Sequence, residues 1–165
     1  YRIGDIGPAG GFIFYVDEAD EHPWKYIEAS SEDLNNGDPA SISNLEVITA
    51  FAGTSSGIGT GGANTEAFIN QAGFTSGAPR MAADYALNGY EDWFLPSIDE
   101  LKALYTFNET LITPIIGPKR FYWSSSEYED TDACNSLDFS QSFEAVRVFL
   151  KTDPIFARAV RYGSL

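Results

Sequence analysis

Apolar residues follow two spacings along this chain. Near the start and through the last third they alternate with polar residues or run together in short blocks. In the middle they recur every three or four positions. The first spacing predicts strands and the second helices. Gly11-Phe12-Ile13-Phe14-Tyr15-Val16 reads as a buried strand, and Trp24-Lys25-Tyr26-Ile27-Glu28-Ala29 as its hairpin partner. Asp17, Glu18, Asp20 and Glu21 fall in the loop between them. Residues 31–62 are rich in Ser, Asn, Gly and Thr and read as a long ordered loop.

Helical spacing follows. Asn64 or Thr65 suits the cap of a first helix running to Gly73. Ala78, Ala82, Tyr85 and Ala86 mark one face of a second, with Asn88-Gly89 as its stop signal. Asp92-Trp93-Phe94-Leu95 is a short strand or a buried turn. Ser97-Ile98-Asp99-Glu100 is a capping box: the Ser97 hydroxyl accepts from the Glu100 amide, and the Glu100 side chain accepts from Ser97 in return. The helix it opens should bury Leu101, Leu104 and Tyr105. Strands are expected again at residues 121–126, 136–139 and 157–162, and at Val146, Val148 and Leu150, which alternate with Arg147 and Phe149. Helices between two groups of strands predict one α+β domain over 1–165. Both ends of the chain should form an antiparallel sheet, with two to three helices and long ordered loops.

Composition narrows what such a domain can do. A chain of 165 residues, 44% hydrophobic and 15% aromatic, fills a core and has rings left for a binding surface. Its net charge of −14 removes the basic footprint that nucleic acid requires. No stretch reaches the roughly 20 apolar residues of a membrane span, so no membrane insertion is expected. The single cysteine, Cys134, forms no intrachain disulfide and is expected to be a buried hydrophobe. The single histidine, His22, rules out a His–His pair and fits a loop position. A chain that begins at Tyr1 without Met reads as a fragment or a processed chain.

Several segments, in order along almost the whole chain, resemble one bacterial family. They are Tyr1-Arg2-Ile3-Gly4-Asp5 with Gly7-Pro8-Ala9-Gly10-Gly11 and Ile13-Phe14-Tyr15; Gly53-Thr54 with Ile58-Gly59-Thr60-Gly61 and Ala63-Asn64-Thr65; Gly89-Tyr90-Glu91-Asp92-Trp93-Phe94-Leu95-Pro96-Ser97 with Asp99-Glu100-Leu101; Tyr122-Trp123-Ser124-Ser125-Ser126-Glu127; and Arg158-Ala159-Val160-Arg161. The family resembled is one of domains of unknown function that includes the C-terminal domain of the Legionella collagen-like adhesin. The resemblance implies a C-type-lectin-like fold and an extracellular or cell-surface setting, on secreted or lipoprotein chains. It also implies a glycan or protein ligand and a possible homotrimer. It supplies no catalytic residues. The chain departs from the adhesin in its acidity, which opposes binding of sulfated glycans, since those need Lys and Arg clusters.

The candidate chemistry lies in these segments. In Asp92-Trp93-Phe94 the Trp93 face can stack on a sugar while Asp92 accepts a hydroxyl; the alternative is a core indole entering a capped helix. Trp123, Ser125 and Glu127 can line a polar pocket, or alternate between core and solvent on a strand. Arg161 can reach a ligand carboxylate; at least one of Arg158 and Arg161 should form a structural ion pair. Glu127, Glu129, Asp130 and Asp132 are candidate Ca²⁺ ligands without EF-hand spacing, and a solvated acidic loop explains them better. No other cofactor is implied. The expected function is non-catalytic adhesion to glycan or protein. The alternatives are a trimerising or capping head of a fibrous protein, and a hydrolase built on an acidic pair.

Overall fold

The computed structural model describes residues 1–117, 121–129 and 132–164. In chain order its elements are β1 (Phe12–Val16), β2 (Tyr26–Ala29), α1 (Gly61–Ile69), α2 (Ala78–Ala83), α3 (Ile98–Glu109), β3 (Phe121–Glu127), β4 (Ala133–Asp138), β5 (Val146–Leu150) and β6 (Val160–Gly163). Short 3-10 turns at Asn35–Gly37 and Leu45–Val47 interrupt the long second loop. The strands form two three-stranded antiparallel sheets, ordered β1-β2-β6 and β3-β4-β5. The N-terminal hairpin and the C-terminal strand therefore share a sheet, as strands at both ends of the chain require. The architecture is α+β.

α3 starts where its sequence dictates. Ser97 accepts from the Glu100 amide and the Glu100 carboxylate accepts from Ser97 N at 2.8 Å, completing the capping box. Leu101, Leu104 and Tyr105 face inward. They join Phe14, Ile27, Phe94, Tyr122, Leu137 and Val160 in a core that links α3 to both sheets.

α1 begins at Gly61, ahead of Asn64 and Thr65, and no local side chain caps it. Its cap comes from 40 residues away in the chain: Glu100 accepts from Gly59 N at 2.9 Å and Gly61 N at 3.5 Å. A carboxylate there satisfies open amides and complements the helix dipole. Asn64 and Thr65 lie inside the helix, buried, and bond to Ser55 and Gly61. α1 also stops at Ile69, short of Gly73. α2 ends at Ala83, before Tyr85, and Asn88 and Gly89 instead take positive φ in a tight turn bridging Leu87 to Tyr90.

A second core lies beneath α1 and α2, around Phe68, Ala78, Ala82, Trp93, Leu95, Trp123 and Cys134. Burial pushes the Cys134 thiol well above its ordinary pKa. Trp93 and Trp123 are both core residues. Between the two cores, Phe94 and Val160 exchange backbone hydrogen bonds of 2.9 Å each, fixing the segment before α3 to β6. No described helix is long and apolar enough to cross a membrane.

Candidate functional site

The Phe94–Val160 bridge sets the geometry of a cleft. It places Glu91, Asp92, Trp93 and Phe94 opposite the face of α1 that carries Gly62, Thr65, Glu66 and Ile69. Ala83 closes one end and Tyr162 of β6 forms part of the floor. The cleft measures about 370 Å³, at the small end of ligand sites. Its walls are largely apolar and aromatic; its charged groups are the exposed carboxylates of Glu66, Glu91 and Asp92.

The walls are held rigidly from behind. Tyr162 packs against Phe94 at 4.3 Å and lies flat on Trp24 at 4.6 Å, and Trp24 stacks in turn on His22. The Tyr162 hydroxyl donates to Glu100 at 2.6 Å. Burial, and then the neighbouring Glu100 carboxylate, push the Tyr162 phenol far above its usual range, so it remains a donor. Glu100 itself has no cation among its partners, and burial raises its carboxyl. Trp93 donates Nε1–H to Tyr90 O at 3.0 Å and meets Tyr85 edge to face. Asp92 accepts from both Nε and Nη2 of Arg161, at 2.7 and 2.9 Å, while Arg161 Nη1 reaches buried Glu28 at 3.1 Å. Burial opposes the guanidinium charge, but Asp92 and Glu28 outweigh it and keep Arg161 protonated. The Tyr90 ring covers the guanidinium at 4.3 Å.

Of the residues singled out in the sequence, Asp92 and Arg161 come together, and Asp92 stands on the cleft with its side chain 55% exposed. Arg161 is closed to a ligand carboxylate, because Asp92 and Glu28 occupy its fork. Arg158 is likewise committed, bonded twice to Asp33.

The side chains of Trp123, Ser125 and Glu127 are buried and committed within the fold. Trp123 is 0% exposed and donates to Ala40 O at 2.7 Å. Ser125 donates to Leu95 O at 2.8 Å and accepts from Asn64. Glu127 turns inward to Lys151 at 2.7 Å and accepts from the amides of Ala52, Gly53 and Thr54. The strand is covered on both faces, by α3 and by α1 with the long loop, so alternation along it never reaches solvent.

The described residues of the acidic loop gather no metal site. Glu127 is engaged by Lys151, Glu129 is exposed, Asp132 is half-buried, and Asp130 lies outside the described residues. Among the described residues no group of three or more His, Cys, Asp or Glu side chains gathers as a metal site. Glu66, Glu91, Phe94 and Tyr162 were not legible as site residues. Glu66 and Tyr162 lie 96 positions apart and meet only because the Phe94–Val160 bridge brings β6 under α1.

Fold and cleft together define a small α+β domain with a preformed acidic and aromatic cleft. No protein-family model matches the chain, and no curated protein matches it significantly.

Proposed function

We propose that this domain is a non-catalytic, C-type-lectin-like binding module of a bacterial surface or secreted protein, and that it takes a glycan in the cleft between α1 and residues 91–94. The observation that carries this reading is the cleft itself. Aromatic and apolar walls suit the carbon face of a sugar ring, and acceptor oxygens at the rim suit its hydroxyls. Fixed walls lower the ordering cost of binding. The family resemblance of the motif segments supports the extracellular setting. The binding reading is favoured over a hydrolase because Asp92 is held by the Arg161 fork, which leaves only the exposed Glu66 and Glu91 carboxylates without a partner among the described residues of the cleft.

The test is a glycan array probed with the wild-type chain and with Ala83→Trp, which fills the end of the cleft. Binding by the wild type that the folded variant loses supports the proposal. Equal binding by both, or no glycan bound by the wild type, rejects it.

A self-associating head remains the second reading, because Val146, Val148 and Leu150 of β5 are 38%, 43% and 50% exposed on one sheet face. Sedimentation should then show an oligomer that Val148→Lys dissolves. A wild-type monomer across the accessible concentration range counts against that reading.

A further inference from the structure

The cleft has acceptors and no available side-chain donors. Three side chains lining it carry a donor, and each is already engaged within the fold. Thr65 Oγ1 donates to Gly61 O at 2.9 Å, Trp93 Nε1 to Tyr90 O at 3.0 Å, and Tyr162 Oη to Glu100 at 2.6 Å. The nearby guanidinium of Arg161 is held by Asp92 and Glu28. By contrast, the carboxylates of Glu66 and Glu91 carry no ion pair or hydrogen bond among the described residues. Turning any of the three towards a ligand would give up a hydrogen bond of the fold.

A ligand in this cleft finds no free side-chain donor, and does best if it brings donors and positive charge of its own. A carboxylate, sulfate or phosphate would meet carboxylates as the cleft's only charged side chains, in a protein of net charge −14. A neutral acetylated sugar would have its amide oxygen unmatched. A lysine side chain supplies charge but has no ring face to set against half-buried Tyr162, which Phe94 backs from the core. Resting on the glycan reading above, we infer that the ligand is a saccharide with free amino groups. Its ring would lie against the aromatic wall and its ammonium between Glu66 and Glu91.

The probes are a fully deacetylated glucosamine hexasaccharide, its fully N-acetylated counterpart and hexalysine. Each is titrated by calorimetry against the wild type and the Glu66→Gln/Glu91→Gln double variant, at mildly acidic pH where the sugar amines are protonated. Both substituted positions are exposed, so the variant should fold normally. The expected result is binding of the deacetylated sugar, at least about tenfold weaker binding of the acetylated one, and a loss of about tenfold in the double variant, since each exposed carboxylate–ammonium contact is worth a few-fold. Equal binding of both sugars overturns the charge reading and leaves the glycan cleft standing. Hexalysine binding as tightly as the amino sugar, or a double variant that binds the sugar unchanged, points to diffuse surface attraction and overturns the inference. If neither sugar binds, the inference fails; the array then decides separately whether another glycan uses the cleft.

Discussion

Three buried carboxylates do most of the organising at the scale of single residues. Glu28 accepts from Gly11 N, Glu100 from Gly59 N and Gly61 N, and Glu127 from Gly53 N and its neighbours. Each ties a glycine-bearing loop to a regular element, and of the three only Glu127 reads as a binding candidate in the sequence alone. Glu127 is paired with a fully buried lysine. Removing one member of such a pair strands the other, so Lys151→Met should cost about 3–5 kcal/mol, measured by denaturant melts. A loss below about 1 kcal/mol would mean that Glu127 is satisfied by its loop amides alone. Trp123→Ala should also cost about 3–5 kcal/mol, because it empties a sealed site and removes the indole hydrogen bond to Ala40 O. Retained stability would show that the site collapses around the gap.

Glu100 adds a pH dependence. Burial raises its carboxyl above the ordinary value of 4.5. The folded state therefore binds a proton that the unfolded state has lost, and stability from this group falls as pH rises through the raised pKa. Glu100→Gln lacks that slope. The stability gap between wild type and variant should shift in favour of wild type on acidification from neutral pH, and a gap independent of pH would refute the raised value.

Elements are governed by their ends. Ser97 caps α3 and also donates to Gly57 O at 2.9 Å, so Ser97→Ala should cost about 1–2 kcal/mol, the cap and one further hydrogen bond together. An unchanged melting temperature would place the helix start elsewhere. α2 depends on Gly77, whose φ of 146° and whose approach to Ile42 O leave a Cβ only 1.9 Å from that oxygen. No local pattern announces this, since the crowding comes from the long loop. On β5, by contrast, edge protection is local. Asp153 bonds Leu150 at both its amide and its carbonyl, and Arg147 Nη1 donates to Val146 O at 3.1 Å. These contacts occupy groups that an incoming strand would use. Asp153→Ala should raise light scattering on mild heating. A variant as soluble as the wild type would mean the edge is shielded in another way.

For the molecule as a whole, local chemistry and long-range chemistry separate cleanly. The sequence by itself determined the α3 start, because both halves of the capping box lie within four residues. It determined the first hairpin and the strands of the last third, because β-branched and aromatic residues there have no helical period. It determined the class, α+β with both chain ends in one antiparallel sheet, and the inward placement of Cys134. The tertiary structure decided everything that depends on what covers a strand or faces a helix end. β3 is enclosed on both sides, so Trp123, Ser125 and Glu127 became framework instead of pocket. α1 is capped by Glu100 across some 40 residues, so its start preceded the local signals at Asn64 and Thr65. The cleft exists because one backbone bridge, Phe94 to Val160, lays β6 beside the entrance to α3 and under α1. Spacing within an element reports which residues share a face; only the packing of distant elements decides whether that face meets protein or water.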